Sequence, residues 1–268
     1  APVGAGEQRT EHNVGGFVSW THRLNEQYSV ESTVSRSVRT ADATERYMAR
    51  TTMMGDWIGN PLLEPEKHHQ LEVSLQGNHE AMSWSVSSWY NRVDDYILRQ
   101  TVSAGMKSRD LYSNVDAELY GAELELAYQL NSNWSLGNSL VWTVGNNLDD
   151  DNALSRIAPL ELTTSLDYQR DRLQAGIEMK LVDTQNDICL SGAANCGGQD
   201  VRKTPGYGLV NLHVQYEYEN GLNLVAGIDN LTDKAYTVHE SRGDVTSGES
   251  FQVTEPGRSA WFRISKSF

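Results

Sequence analysis

The chain lacks any long apolar run, holds little cysteine and is short of positive charge, and each shortage closes off a class of protein. No stretch approaches the roughly 18 consecutive apolar residues that a helical membrane span requires. Hydrophobic residues make up 38% of the 268 positions and mean hydropathy is -0.53, low for a packed soluble core of this size. The same values suit strands that cross a bilayer, because alternating faces average to a polar hydropathy. Lysine and arginine number 22 against 36 aspartates and glutamates, a formal charge of -14. That balance argues against binding a nucleic-acid backbone, although an acidic mouth would concentrate cations. The first residues, APVGAGEQRT, have neither a basic region nor an apolar core, so no signal peptide is read there. A mature N-terminus and an internal start would both look this way.

Catalytic signatures are missing as well. There is no G-x-S-x-G, no P-loop and no H-E-x-x-H, so no enzyme and no required cofactor are expected. Glu123 and Glu125 could pass for an acid–base pair, but they read better as polar lining on one strand face. Asp149-Asp150-Asp151-Asn152 offers oxygen ligands without the EF-hand spacing, and reads as a solvated acidic loop. The two cysteines, Cys189 and Cys196, lie close together in a loop rich in Gly, Ala and Asn. Such a pair suits a short-loop disulfide in an oxidising compartment. A metal-binding thiol pair is the rival reading, but the spacing exceeds C-x2-4-C and no histidine is near.

What the chain does have is period-two alternation. Tyr28, Val30 and Val34 oppose Ser29, Glu31, Thr33 and Ser35. Ala122, Leu124, Leu126, Tyr128 and Leu130 oppose Glu123, Glu125 and Gln129, and Leu173–Leu181 opposes Glu178 and Lys180. With the turn residues between them, such runs predict about 11 strands. Connections alternate in length: 25–27, 78–81, 131–133, 170–172 and 219–221 are short, while 41–67, 145–158, 184–206 and 232–258 are long and polar. An outer-membrane barrel sorts its loops this way, with tight turns at one rim and long loops at the other. A Greek-key sandwich, the soluble alternative, has no reason to. Tyr28, Trp84, Tyr128, Trp134, Tyr168, Tyr216 and Tyr218 all sit near a short turn on the apolar face, as an aromatic girdle would. The expected fold is therefore all-β: an antiparallel transmembrane β-barrel occupying residues 1–268 as one domain.

The last stretch, Gly227–Phe268, carries a more specific signal. In its final run Ala260, Phe262, Ile264 and Phe268 share one face, with Ser259, Arg263, Ser265 and Ser267 on the other. Upstream lie Asn230-Leu231-Thr232-Asp233-Lys234-Ala235-Tyr236 and then Pro256-Gly257-Arg258. The arrangement resembles the C-terminal end of TonB-dependent outer-membrane receptors, with N-L-x-D-x-x-Y, a long loop, P-G-R and a last strand ending in Phe. The residues around Tyr236–Arg242 and Thr254–Arg258 look most like the copper-receptor branch.

That resemblance implies the C-terminal half of a barrel of about 22 strands, with plug and TonB-contact segment absent from this chain. It implies a Gram-negative outer-membrane location, contact with outer-membrane lipid and TonB reached through the missing N-terminal region. It also implies delivery to the barrel-assembly machinery through the C-terminal strand, with Phe262, Ile264 and Phe268 as signal. The expected function is active uptake of copper or another metal chelate, with copper as cargo. An iron–siderophore or heme receptor of the same family, or a passive porin-like small barrel, is the alternative. For cargo, Met48, Met53 and Met54 crowd one loop, and thioether sulfur is a soft ligand suited to Cu(I). His239, and also His68 and His69, are expected near the same rim and could add imidazole. Methionine also serves as an adaptable apolar filler, which is the plainer reading of that loop.

Overall fold

The structure, a computed structural model, describes residues 10–53, 55–104, 107–190, 199–241, 243–244 and 251–266. In chain order its elements are β1 (Gly16–Arg23), β2 (Tyr28–Arg39), the short helix α1 (Ala43–Tyr47), β3 (Ala49–Thr51), β4 (Gly55–Ile58) and β5 (Glu66–His79). Then come β6 (Met82–Ala104), β7 (Lys107–Gln129), β8 (Trp134–Asn147), β9 (Asn152–Ala153), β10 (Glu161–Arg170) and β11 (Leu173–Val182). The chain closes with β12 (Tyr207–Glu217), β13 (Leu222–Asp229), β14 (Gly243–Asp244), β15 (Phe251–Gln252) and β16 (Ser259–Lys266). Eleven of these form one path, β1-β2-β5-β6-β7-β8-β10-β11-β12-β13-β16, with β1 and β16 at its open edges. Every neighbouring pair on that path is antiparallel.

Three of the tight turns share one device. Asn25 accepts from the backbone N–H of Gln27 and Tyr28, Asn131 from Asn133 and Trp134, and Asn220 from Leu222. A short amide side chain that caps its own turn fixes where each hairpin reverses, and with it the register.

Register then decides the faces. One row across the sheet runs Val30–Leu75–Val86–Leu124–Leu140–Leu162–Leu181, and the row beside it on the opposite face runs Ser29–Gln76–Ser85–Glu125–Ser139–Thr163–Lys180. Ile177 and Val86 remain about two-fifths exposed, and no second sheet is stacked on this one among the described residues. A sandwich interior for these side chains is excluded. Two of the polar residues on the apolar face, Asn138 and Thr164, are cross-strand neighbours joined by a 2.9 Å hydrogen bond. That pairing is what a hydrocarbon surround demands, since water cannot satisfy either group.

Aromatics mark both rims. Tyr28 tilts against Trp84 with centroids 6.2 Å apart, Trp134 against Tyr168 at 4.9 Å, and Tyr216 against Tyr218 at 4.8 Å. Gly77 lies opposite Trp84, and a Cβ there would overlap the indole; the bare backbone lets the ring lie flat across the strand. Further up, Tyr90, Tyr120 and Trp142 form a second aromatic run on the same face. It lies toward the long-loop rim.

Departures from the sequence reading concentrate at that rim. The sequence pattern reads as strand over Glu11–Leu24, whereas β1 covers only Gly16–Arg23. The sequence pattern ends one strand at Val102 and starts the next at Leu111, whereas β6 and β7 run on through 103–104 and 107–110, each reaching 23 residues. Their ladder is offset by a bulge in which Asp94 and Asp95 oppose Asp116. Asp95 takes φ 60°, a left-handed conformation that aspartate tolerates well.

Candidate functional site

Above the apolar rows, the long connections fold down onto the extended β6–β7 hairpin. The β2–β5 connection opens with α1, capped reciprocally by Asp42 and Glu45. Further on it carries β4, laid parallel along β7 from Gly55 beside Ser108 to Ile58 beside Leu111. Ala41, Leu63, Ile97 and Tyr112 are buried together there, with Trp57 packed against them. Trp57 donates to the Tyr112 hydroxyl at 3.1 Å and carries the Arg99 guanidinium 4.5 Å over its ring. A second cluster, Val93, Leu98, Val115, Ala117 and Leu154, is covered by Ile157 from the β8–β10 connection. Both clusters lie where the loops cover the β6–β7 hairpin; elsewhere Val182, Leu209 and Val225 are buried one by one on β11, β12 and β13.

Charge fastens the foot of the first loop. Arg39 meets Glu66 at 2.6 Å and Glu45 at 3.0 Å, while Glu66 also accepts from the Ile97 N–H at 2.8 Å and contacts His68 at 3.1 Å. Burial by itself would raise the Glu66 carboxyl, but the Arg39, His68 and Ile97 hydrogen bonds outweigh it and hold the carboxyl at about 2. A depressed carboxyl stabilises the ionised, folded loop above its ordinary 4.5 and loses that contribution as pH falls toward 2. Amide-exchange protection of residues 41–65 is therefore expected to hold from neutral pH to about 4.5 and then decline. In Glu66→Gln that step should vanish, and an identical decline in both proteins would remove Glu66 as its cause.

The remaining long loops meet in a buried polar hub. Asp200 and His239 side chains are each 1% exposed, with His239 Nε2 3.4 Å from Asp200 Oδ1. Asp200 accepts from the backbone N–H of Arg156 at 2.9 Å and of Cys189 at 2.7 Å, and its own N–H donates to the Cys189 carbonyl. His239 Nδ1 shares a 2.8 Å hydrogen bond with the Thr204 hydroxyl, and Gln252 bridges Thr204 and the His239 carbonyl. The 3.4 Å contact lacks hydrogen-bond geometry, and Nε2 is a buried nitrogen with no hydrogen-bond partner. It becomes an ion pair only when the ring is protonated. Tyr207 tilts against Tyr236 with ring centroids 4.6 Å apart.

The residues singled out from sequence fall in different places. Met48 is half-buried at the C-terminal end of α1, Met53 is almost fully exposed, and Met54 lies outside the described residues. His239 is buried in the hub with Asp200 and Thr204 rather than open at the rim. His68 and His69, being adjacent on β5, point to opposite faces, so His69 stands on the apolar side near Asp94. Cys189 is disulfide-bonded; Cys196 lies outside the described residues. Phe262 and Ile264 project from the apolar face of β16, about three-fifths exposed, and Phe268 is outside the described residues. Among the described residues, no three His, Cys, Asp or Glu side chains converge as a metal cage. Asp200, Thr204 and Gln252 were not anticipated, and nothing in their sequence surroundings separates them from solvated loop residues.

An open run of eleven antiparallel staves, greasy outside, polar inside and roofed by long loops on one rim, is the wall of an outer-membrane barrel. The family model for TonB dependent receptor-like β-barrels matches residues 3–231, and the chain belongs to that family, whose barrels sit in the Gram-negative outer membrane. It is 27% identical over 242 residues to the vitamin B12 transporter BtuB of Photobacterium profundum, covering 88% of this chain and 38% of that protein. Among solved structures it is similar to the copper transporter OprC, with TM-score 0.86 and 32% identity over 97% of this chain and 40% of that one. The ferric enterobactin receptor PfeA of Pseudomonas aeruginosa shares the fold, with TM-score 0.75 and 18% identity over 95% of this chain and 40% of that one. The chain thus spans about two-fifths of the length of these relatives. The family consists of receptors and transporters, not enzymes.

Proposed function

We propose that this chain is the C-terminal part of the barrel of an active uptake receptor whose cargo is copper or a copper complex. The observation that carries the cargo assignment is the likeness to the copper transporter OprC at 32% identity over 97% of the chain. The methionines of the β2–β5 connection add chemical support, since soft thioethers select Cu(I) over harder ions. In this reading Met48, Met53 and Met54 help admit the metal at the outer rim, and His239 helps hold the loops that surround it. The rest of the receptor supplies a plug and the segment that engages TonB, while the C-terminal strand directs barrel assembly. The second cysteine, Cys196, pairs with Cys189 and clips the β11–β12 loop. A cobalamin-like cargo is favoured instead by the 27% identity to BtuB.

Metal analysis of the full-length receptor after exposure to copper, zinc and iron chelates and to cobalamin decides between them. Copper should be retained in preference to the other metals, and less of it in a Met48→Leu, Met53→Leu, Met54→Leu variant. Retention of cobalamin or an iron chelate without copper would overturn the cargo. Full copper retention by the triple variant would move the ligands out of this chain.

A further inference from the structure

The apolar face ends, toward the long-loop rim, in a row of opposite character. Register places Gly16, Arg36, His69 and Arg92 side by side on β1, β2, β5 and β6, one row above Val18, Val34, Leu71 and Tyr90. All eight share the lipid-facing parity with Val30, Leu75 and Val86. Arg36 lies eight residues above Tyr28 along β2. At about 3.3 Å per residue and a strand tilt near 40°, the row stands about 20 Å above the lower girdle. That height is near the upper edge of an apolar band about 25 Å tall, one row above Tyr90 of the upper aromatic run, where long basic side chains reach up to the outer-leaflet headgroups.

The row is shaped as well as charged. Val18, Val34, Leu71 and Tyr90 line the floor of a groove of about 630 Å³, and Arg36 and His69 close its upper end. The carboxylates nearby lie to one side: Glu118 continues the row beside Arg92 and accepts from the Tyr90 hydroxyl at 3.0 Å, Arg92 is held by Asp116 at 2.6 Å and Asp94 at 3.4 Å, His69 stands 3.5 Å from Asp94, and Lys67 pairs with Asp95. Arg36 meets no carboxylate among the described residues; its partner is the Val14 carbonyl. The cationic end of the row is thus the end over the groove.

We propose that this groove is a binding site for a phosphorylated lipid of the outer leaflet. The acyl chain lies along Val18, Val34 and Leu71, and the phosphate sits against Arg36 and His69, with Arg92 behind. A cation that faces hydrocarbon with no carboxylate partner is costly unless an anion comes with the membrane, and an anionic headgroup supplies it. The assignment depends on the lipid-facing parity alone and is independent of the cargo.

The test measures lipid retained by the detergent-purified full-length receptor, by native mass spectrometry, after incubation with phosphatidylglycerol, phosphatidylcholine or inorganic phosphate. Each basic residue near an anionic surface is worth roughly fivefold in binding. Arg36→Gln should therefore retain about fivefold less phosphatidylglycerol than wild type, and Arg36→Lys should retain it nearly fully. Arg36→Lys also guards against misfolding as the explanation. Inorganic phosphate should not displace the lipid, because the groove contributes as much as the charge. Equal retention of phosphatidylcholine, equal retention by Arg36→Gln, or displacement by phosphate alone would each overturn the site.

Discussion

Leu124→Arg in the full-length receptor is expected to cost about 2–4 kcal/mol of stability in a bilayer, read from urea unfolding out of lipid vesicles. Leu124 sits midway along the apolar part of β7, with Tyr128 of the lower girdle four residues below it and Tyr120 of the upper one four above. Leu126 lies one row closer to the tight turns, so the same substitution there should cost less, because the penalty falls toward the interfaces. Glu125, the residue between them, points the other way and accepts from the Ser139 hydroxyl at 2.7 Å. Glu125→Gln keeps an acceptor in place and should change stability by no more than about 0.5 kcal/mol. A large cost at Glu125 with a small one at Leu124 would mean that the faces have been taken backwards, and the membrane reading would fall with them.

The wall was legible because alternation, turn chemistry and girdle aromatics all agree along it. Leu124, Glu125 and Leu126 can be placed on their faces from sequence, since period two leaves no other arrangement once one side is greasy. The rim was less legible, for two separate reasons. Residues 103–110 read as loop because serine, glycine and charge break the pattern. At 103–104 and 107–110 the strands persist because the β6–β7 hairpin pairs with itself and with β4. The helix in the β2–β5 connection did leave a signal, Asp42 followed three residues later by Glu45, a capping box that a search for strands passes over. The hub left none. Asp200, Thr204 and Gln252 are polar residues in polar loops, and only the meeting of three connections far apart in sequence buries them.

That meeting is where the second large effect is expected. The Asp200 carboxylate accepts from the backbone N–H groups of Arg156 and Cys189, which belong to two different loops. It also stands beside a histidine supplied by a third. Asp200→Ala takes that acceptor away from both donors in a buried site, at about 1–3 kcal/mol each. The penalty has a specific address: it falls on the loops and not on the ladder, because Asp200 lies outside the strands of the barrel path. The full-length Asp200→Ala receptor should keep its barrel, seen as unchanged heat-dependent mobility on gels. Its 148–160 and 183–206 loops should be cleaved by protease under conditions that spare the wild type. Asp200→Asn, which retains one carbonyl acceptor, should fall between the two. Wild-type protection in Asp200→Ala would show that the Cys189 disulfide and the apolar lid of Leu154 and Ile157 hold the loops unaided. The buried His239–Asp200 contact would then be a consequence of the loop closure and not its cause.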